Sequence, residues 1–141
     1  MKRRLFIMML LAATLTVSAQ SNKTVETQKD AYGHVTGTAT TTTDSRGNQT
    51  TVYKDRYGHT TGTSTTKRDY NGKYTTTYKD AYGHITGSSN TTTDRYGSTT
   101  TYKDAYGHIT GSSKSRSNSN GTTTTTYKDR YGHVTGSSTT R

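Results

Sequence analysis

The chain has 141 residues, with 19 Lys and Arg against 9 Asp and Glu, a formal charge of +10, and neither Cys nor Pro. The lack of Cys excludes thiol catalysis, a disulfide framework and a lipid-modified cysteine. Hydrophobic residues make up only 25% of the chain, too few for a conventional core.

The first element is a basic cluster, Lys2, Arg3 and Arg4, followed by an apolar run from Leu5 to Val17 and the small residues Ser18 and Ala19. This pattern predicts a signal peptide over residues 1–19 with a cut before Gln20, and hence an exported protein: periplasmic, cell-surface or secreted. The run is shorter than the roughly 20 residues of a spanning helix, so no transmembrane segment is expected after cleavage. Every Leu, Met and Phe lies in this segment. The remaining aliphatics larger than Ala are Val25, Val35, Val52, Ile85, Ile109 and Val134, joined by 12 Tyr. Residues 20–27 read as an N-terminal lead-in open to disorder, and residues 28–141 as the folded domain.

From Gln28 onward a ten-residue phrase recurs five times, starting at Gln28, Tyr53, Tyr78, Tyr102 and Tyr127, at intervals of 25, 25, 24 and 25 residues. A period of this size marks a repeat architecture built from one supersecondary unit. Nine Asp/Asn-x-x-Gly tetrads punctuate the chain. The main set is Asp30 to Gly33, Asp55 to Gly58, Asp80 to Gly83, Asp104 to Gly107 and Asp129 to Gly132. A second set alternates with it: Asp44 to Gly47, Asp69 to Gly72, Asp94 to Gly97 and Asn118 to Gly121. Asp or Asn first and Gly fourth suit a type I turn closed by a Gly bulge, with the Gly at positive φ. The segments between are Thr-rich, and 34 Thr follow residue 19, which favours strand over helix. The fold class is therefore all-β: a repetitive antiparallel meander of about ten short strands in five hairpin units, forming a single curved or solenoid-like sheet. Ten strands span roughly 45 Å. Fraying is expected over 20–28 and 114–120.

Five further Gly (Gly37, Gly62, Gly87, Gly111 and Gly136) fall inside strands at one place per unit, predicting a bend, a bulge or a close backbone approach. A neighbouring Tyr is expected to cover each such Gly.

The stretch from Asp44 to Thr61, DSRGNQTTVYKDRYGHTT, resembles two successive YD repeats, the Rhs-type units of secreted bacterial and teneurin-like proteins. The resemblance covers about residues 28–140 and implies β-hairpins that coil into a sheet or shell. This chain departs from the pattern where Lys54, Lys79, Lys103 and Lys128 separate Tyr from Asp, and where His follows the Gly. It is too short to form an enclosing shell, and neither shell nor toxin domain is expected.

Candidate chemistry is sparse. His34, His59, His84, His108 and His133 repeat once per unit and are the candidate metal ligands. Equivalent side chains are about 9.6 Å apart, so two converge at most, whereas a zinc site needs three or four ligands near 2.0–2.1 Å. Local pairing of each His with its turn Asp or with an adjacent strand residue is the competing reading. No catalytic residue and no cofactor are expected, because Ser, His and Asp occur in repeated surface copies rather than in one asymmetric constellation. Lys and Arg alternate with Asp along the turns, which argues against nucleic acid. Tyr32, Tyr57, Tyr82, Tyr106 and Tyr131 sit at turn tips, where they either pack along the row or lie against sugar faces. With Lys54, Lys79, Lys103 and Lys128 they are the candidate surface-binding residues. The expected partners are acidic polysaccharide or the cell envelope, or the chain itself through edge-to-edge assembly. The resulting reading is an exported, non-enzymatic repeat protein with a structural or surface-interaction role.

Overall fold

The computed structural model describes residues 22–30 and 32–140; the expected signal peptide and its cut site lie outside them. Ten strands, β1 (Lys23–Lys29), β2 (Val35–Thr43), β3 (Gln49–Asp55), β4 (Thr60–Arg68), β5 (Tyr74–Asp80), β6 (Ile85–Asp94), β7 (Gly97–Asp104), β8 (Ile109–Ser117), β9 (Thr123–Asp129) and β10 (Val134–Thr140), follow the chain. They form one antiparallel sheet in the order β1 to β10, a pure meander that does not close into a barrel. Among the described residues no helix is long and apolar enough to cross a membrane. The expected all-β meander of hairpin units is thus the observed architecture. β1 begins at Lys23, well before Gln28, so most of the segment read as a lead-in is the first strand.

The turns alternate between the two ends of the sheet. At every turn but one, the Gly N–H donates to the carbonyl of the first residue, whose own N–H donates to the carbonyl of the residue after the Gly. Asp55 N to His59 O is 2.9 Å and Gly58 N to Asp55 O is 3.1 Å. Gly58 has φ 88°, the left-handed region that makes Gly the default there. The exception is Gly97, at φ 159°. Its unit is the one with the 24-residue spacing. The missing residue is the one whose carbonyl closes the other turns, so Asp94 pairs directly with Gly97 across a two-residue loop.

Main and secondary hairpins differ in register. Across β3 and β4 the partners step from Tyr53 with Gly62 to Lys54 with Thr60, leaving Thr61 unopposed. The same bulge recurs at Thr36, Thr86, Thr110 and Thr135. The secondary hairpins have none. Each strand Gly sits directly after a bulged Thr. A Cβ on Gly62, Gly87 or Gly111 would stand 2.6 Å from the carbonyl oxygen of Lys79, Lys103 or Lys128 on the following strand. Close backbone approach is therefore the reason for glycine at these places.

The sheet has two unlike faces, because side chains alternate with period two. On one face, Tyr53, Tyr78, Tyr102 and Tyr127 form a column. Each stands between a small residue on the strand before and a Gly on the strand after: Tyr78 lies opposite Ser64 on β4 and Gly87 on β6. The phenol then reaches past the Gly to the next inward Ser. Tyr78 Oη is 3.3 Å from Ser89 Oγ, and Tyr102 Oη is 3.1 Å from Ser113 Oγ. Ser64, Ser89 and Ser113 are buried at 6%, 3% and 8% exposure, while Ala39 is the one buried hydrophobic side chain among the described residues. Small polar residues, sealed by tyrosine rings, replace the usual aliphatic core. Thr–Thr hydroxyl pairs extend this polar layer, with Thr66 Oγ1 and Thr76 Oγ1 at 2.8 Å. No buried side-chain nitrogen or oxygen among the described residues lacks a partner. Burial pushes the Tyr78 phenol above its usual range; the Ser89 bond opposes this, and Tyr102 and Tyr53 add to it.

The stretch 114–120, where fraying was expected, is ordered through Ser117. Ser115 Oγ meets Thr125 Oγ1 at 2.8 Å, and the Arg116 guanidinium reaches Asp94 at 3.0 Å.

Candidate functional site

All five main turns join an odd strand to the following even one, so they line up along one end of the sheet. Neighbouring tips are two strands apart, about 9.6 Å. Each tip is built by one carboxylate. Asp80 Oδ1 accepts the N–H groups of Tyr82 and His84, both at 2.9 Å, and Asp80 Oδ2 lies 3.2 Å from His84 Nδ1. Asp30, Asp55, Asp104 and Asp129 repeat this geometry, with Oδ2 to Nδ1 distances of 3.2–3.3 Å. Desolvation alone would raise these carboxyls. The His N–H, the His ring and the Tyr N–H outweigh it and hold Asp55, Asp80, Asp104, Asp129 and Asp30 below the usual carboxylate range.

An ionised carboxylate only accepts, so Nδ1 is the donor in each pair and Nε2 is not used in it. His34, His59, His84, His108 and His133 therefore each pair with their own turn Asp, the reading that the sequence set against metal binding. Their side chains remain 74–79% exposed. No group of three or more His, Cys, Asp or Glu side chains among the described residues is placed to hold a metal ion.

The tip tyrosines are free of packing along the row. Tyr32, Tyr57, Tyr82, Tyr106 and Tyr131 are 87%, 69%, 87%, 88% and 77% exposed. Each ring instead faces the His of its own turn, with centroids 6.2–6.3 Å apart and planes tilted by 35–41°. At one tip the Arg56 guanidinium also lies over the Tyr57 ring, 4.7 Å from its centroid.

Just below the tips, on the face opposite the tyrosine column, Lys79, Lys103 and Lys128 lie across the ladder from Ile85, Ile109 and Val134. Lys54 takes the same place opposite Thr60. Ile85, Ile109 and Val134 are 53%, 51% and 64% exposed. This row of ammonium groups and aliphatic side chains was not apparent before the bulge register was known, because the bulge sets which residue faces each Lys. The tyrosine face offers a shallow concavity of about 230 Å³ lined by Thr66, Thr76, Tyr78 and Ser89 among others, and it holds no charged side chain.

Every tip thus carries an exposed aromatic plane, an imidazole edge and a nearby cation, repeated along one line. Such an array suits weak contacts to an extended ligand of repeating chemistry. No protein-family model, no curated protein and no solved structure matches this chain.

Proposed function

We propose that this chain is an exported, non-enzymatic repeat scaffold whose row of turn tips binds an acidic polysaccharide of a cell envelope or extracellular matrix. The observation that carries this reading is the fivefold display of Tyr and His at the tips, with every Tyr at least 69% exposed. Holding five such rings in water on a chain so poor in apolar side chains has no packing benefit. Tyrosine planes fit the CH faces of sugar rings, and the Lys row beneath them attracts uronate or sulfate groups. Without Lys2, Arg3 and Arg4 the exported chain keeps 16 Lys and Arg against 9 Asp and Glu, a formal charge of +7, which favours polyanions at long range. Weak tip contacts at regular spacing gain strength by multivalency without any deep pocket. The YD-like turn phrase supports the exported, non-enzymatic part of the reading.

The test is binding to polygalacturonate, alginate and a neutral glucan, immobilised and probed at low and at 0.5 M salt. The reading expects retention on the acidic polymers, release at high salt, and loss of retention when Tyr57, Tyr82, Tyr106 and Tyr131 are all replaced by Ala. Equal retention of that variant, or no retention on either acidic polymer at low salt, would refute it.

A further inference from the structure

The strand glycines contain an internal contrast. Four of them are required by the next strand: Gly62, Gly87 and Gly111 face the Lys79, Lys103 and Lys128 carbonyls at 2.6 Å from a would-be Cβ, and Gly37 faces the Lys54 carbonyl still more closely. The fifth, Gly136, has nothing within 4 Å. Its φ is not positive, so no turn conformation requires glycine there either. β10 pairs with β9 alone. β10 therefore keeps a residue shaped to admit a following strand that is absent beside it among the described residues.

The rest of β10 agrees. Natural edge strands are commonly protected by Lys, Pro or inward charges. β10 reads VTGSSTT, without a charge or a proline. Its Ser138 is only half-buried, whereas its equivalents Ser64, Ser89 and Ser113 are buried. At the far side of the sheet, β1 pairs with β2 alone and ends in Gln28 and Lys29, which with the following Asp30 are the counterparts of Tyr53, Lys54 and Asp55.

We infer that the outer edge of β10 receives β1 of a second copy of this chain, in the register of the internal secondary hairpins. Those hairpins pair Gly62 with Asp80, Thr63 with Lys79 and Ser64 with Tyr78. The interface accordingly pairs Gly136 with Asp30, Ser137 with Lys29, Ser138 with Gln28, Thr139 with Thr27 and Thr140 with Glu26 of the second copy. Glu26, Lys29 and Asp30 then each lie opposite a neutral residue, so no like charges meet there. The Gln28 amide adds a partner for the half-buried Ser138 hydroxyl, and the Lys29 carbonyl enters the space that Gly136 leaves open. The interface uses two different surfaces, so it is heterologous and repeats into an open filament. Each copy lengthens the sheet by ten strands, about 48 Å, and carries the row of turn tips onward in phase. This inference is independent of whether the tips bind polysaccharide.

The test uses the full chain without any polysaccharide. The chain has no Cys, so a Gln28→Cys/Ser138→Cys double variant reports this register alone. The two positions lie nine strand spacings apart, about 43 Å, and cannot cross-link within one copy. Mild oxidation is expected to give a ladder of dimers, trimers and higher species on a non-reducing gel, collapsing to monomer when the disulfides are reduced. Adding Gly136→Val is expected to abolish the ladder while leaving the β-sheet circular dichroism unchanged. Moving the second cysteine by one residue, Gln28→Cys/Ser137→Cys, puts it on the opposite face and is expected to cut the ladder at least tenfold. Sedimentation of the unaltered chain reads assembly independently of any variant, and is expected to show multiples of the monomer mass that grow with concentration. A monomer at all concentrations, a ladder unchanged by a folded Gly136→Val variant, or equal ladders from the Ser137 and Ser138 variants would each overturn the inference. Association only with some other protein would do the same.

Discussion

Replacing Gly87 with Ala isolates the contact that makes the sheet interior intolerant of even one methyl group. The new Cβ stands 2.6 Å from the Lys103 carbonyl oxygen. Carbon and oxygen approach to about 3.3 Å at closest in ordinary sheet contacts, so β6 and β7 must separate by roughly 0.7 Å locally. Overpacking of this kind costs about 1–3 kcal/mol. It is offset by the lower unfolded-state entropy of Ala, worth about 0.4–1 kcal/mol. The net expectation is a loss of about 1–2 kcal/mol. Gly136→Ala supplies the control, because nothing lies within 4 Å of its Cβ. Only the entropic gain applies there, so the variant should be neutral or up to about 1 kcal/mol more stable. The assay is urea unfolding followed by tyrosine fluorescence, in solution dilute enough to keep the chain monomeric. With a slope of about 1–3 kcal/mol per molar, the two midpoints should differ by about 1 M. If both variants unfold at the same urea concentration, the close approach is not what selects glycine inside the strands.

Three further outcomes follow from the same geometry. Tyr78→Phe removes the 3.3 Å bond to Ser89 and strands a buried hydroxyl, so the chain should lose about 0.5–1.5 kcal/mol in urea unfolding, whereas Tyr82→Phe at an exposed tip should change nothing. The turn carboxyls sit below their unfolded range, so the stability they contribute is complete above about pH 4 and is lost as pH falls through their folded values. The melting temperature should therefore hold between pH 7 and about pH 4 and drop below it, and a flat profile to pH 2 would contradict the Asp-centred turns. Inserting one Asn after Gly97 restores the 25-residue spacing. Gly97 should then move to a φ near that of the other turn glycines, visible by solution NMR, without loss of stability.

The meander itself was legible in the sequence, because Asp-x-x-Gly and Thr-rich runs at a fixed period leave few other solutions. The position of the bulges was legible too, since Gly62 and its equivalents recur inside strands that would otherwise exclude glycine. The pairing of His84 with Asp80 was one of the readings the spacing allowed, and the turn decides it by bringing Oδ2 to Nδ1. Two features were not legible. The Lys79–Ile85 pairing depends on the bulge at Thr86, which sets which residue lies opposite. The order of residues 114–117 comes from ladder pairing with β7 and β9, reinforced by the Arg116–Asp94 contact that spans β7, and low-complexity composition does not reveal such pairing. What the tips contact is the least legible of all, because exposed side chains record no partner.

The central claim, that the tips act as one multivalent row, is tested most directly by stepwise loss of tips. Variants with one, two, three, four and five of Tyr32, Tyr57, Tyr82, Tyr106 and Tyr131 changed to Ala should be titrated with polygalacturonate at fixed low salt. If each tip contributes about 0.5–1.5 kcal/mol, affinity falls roughly two- to tenfold with every Tyr removed, whichever order is used. A single dominant tyrosine, or an affinity indifferent to all five, would contradict the account.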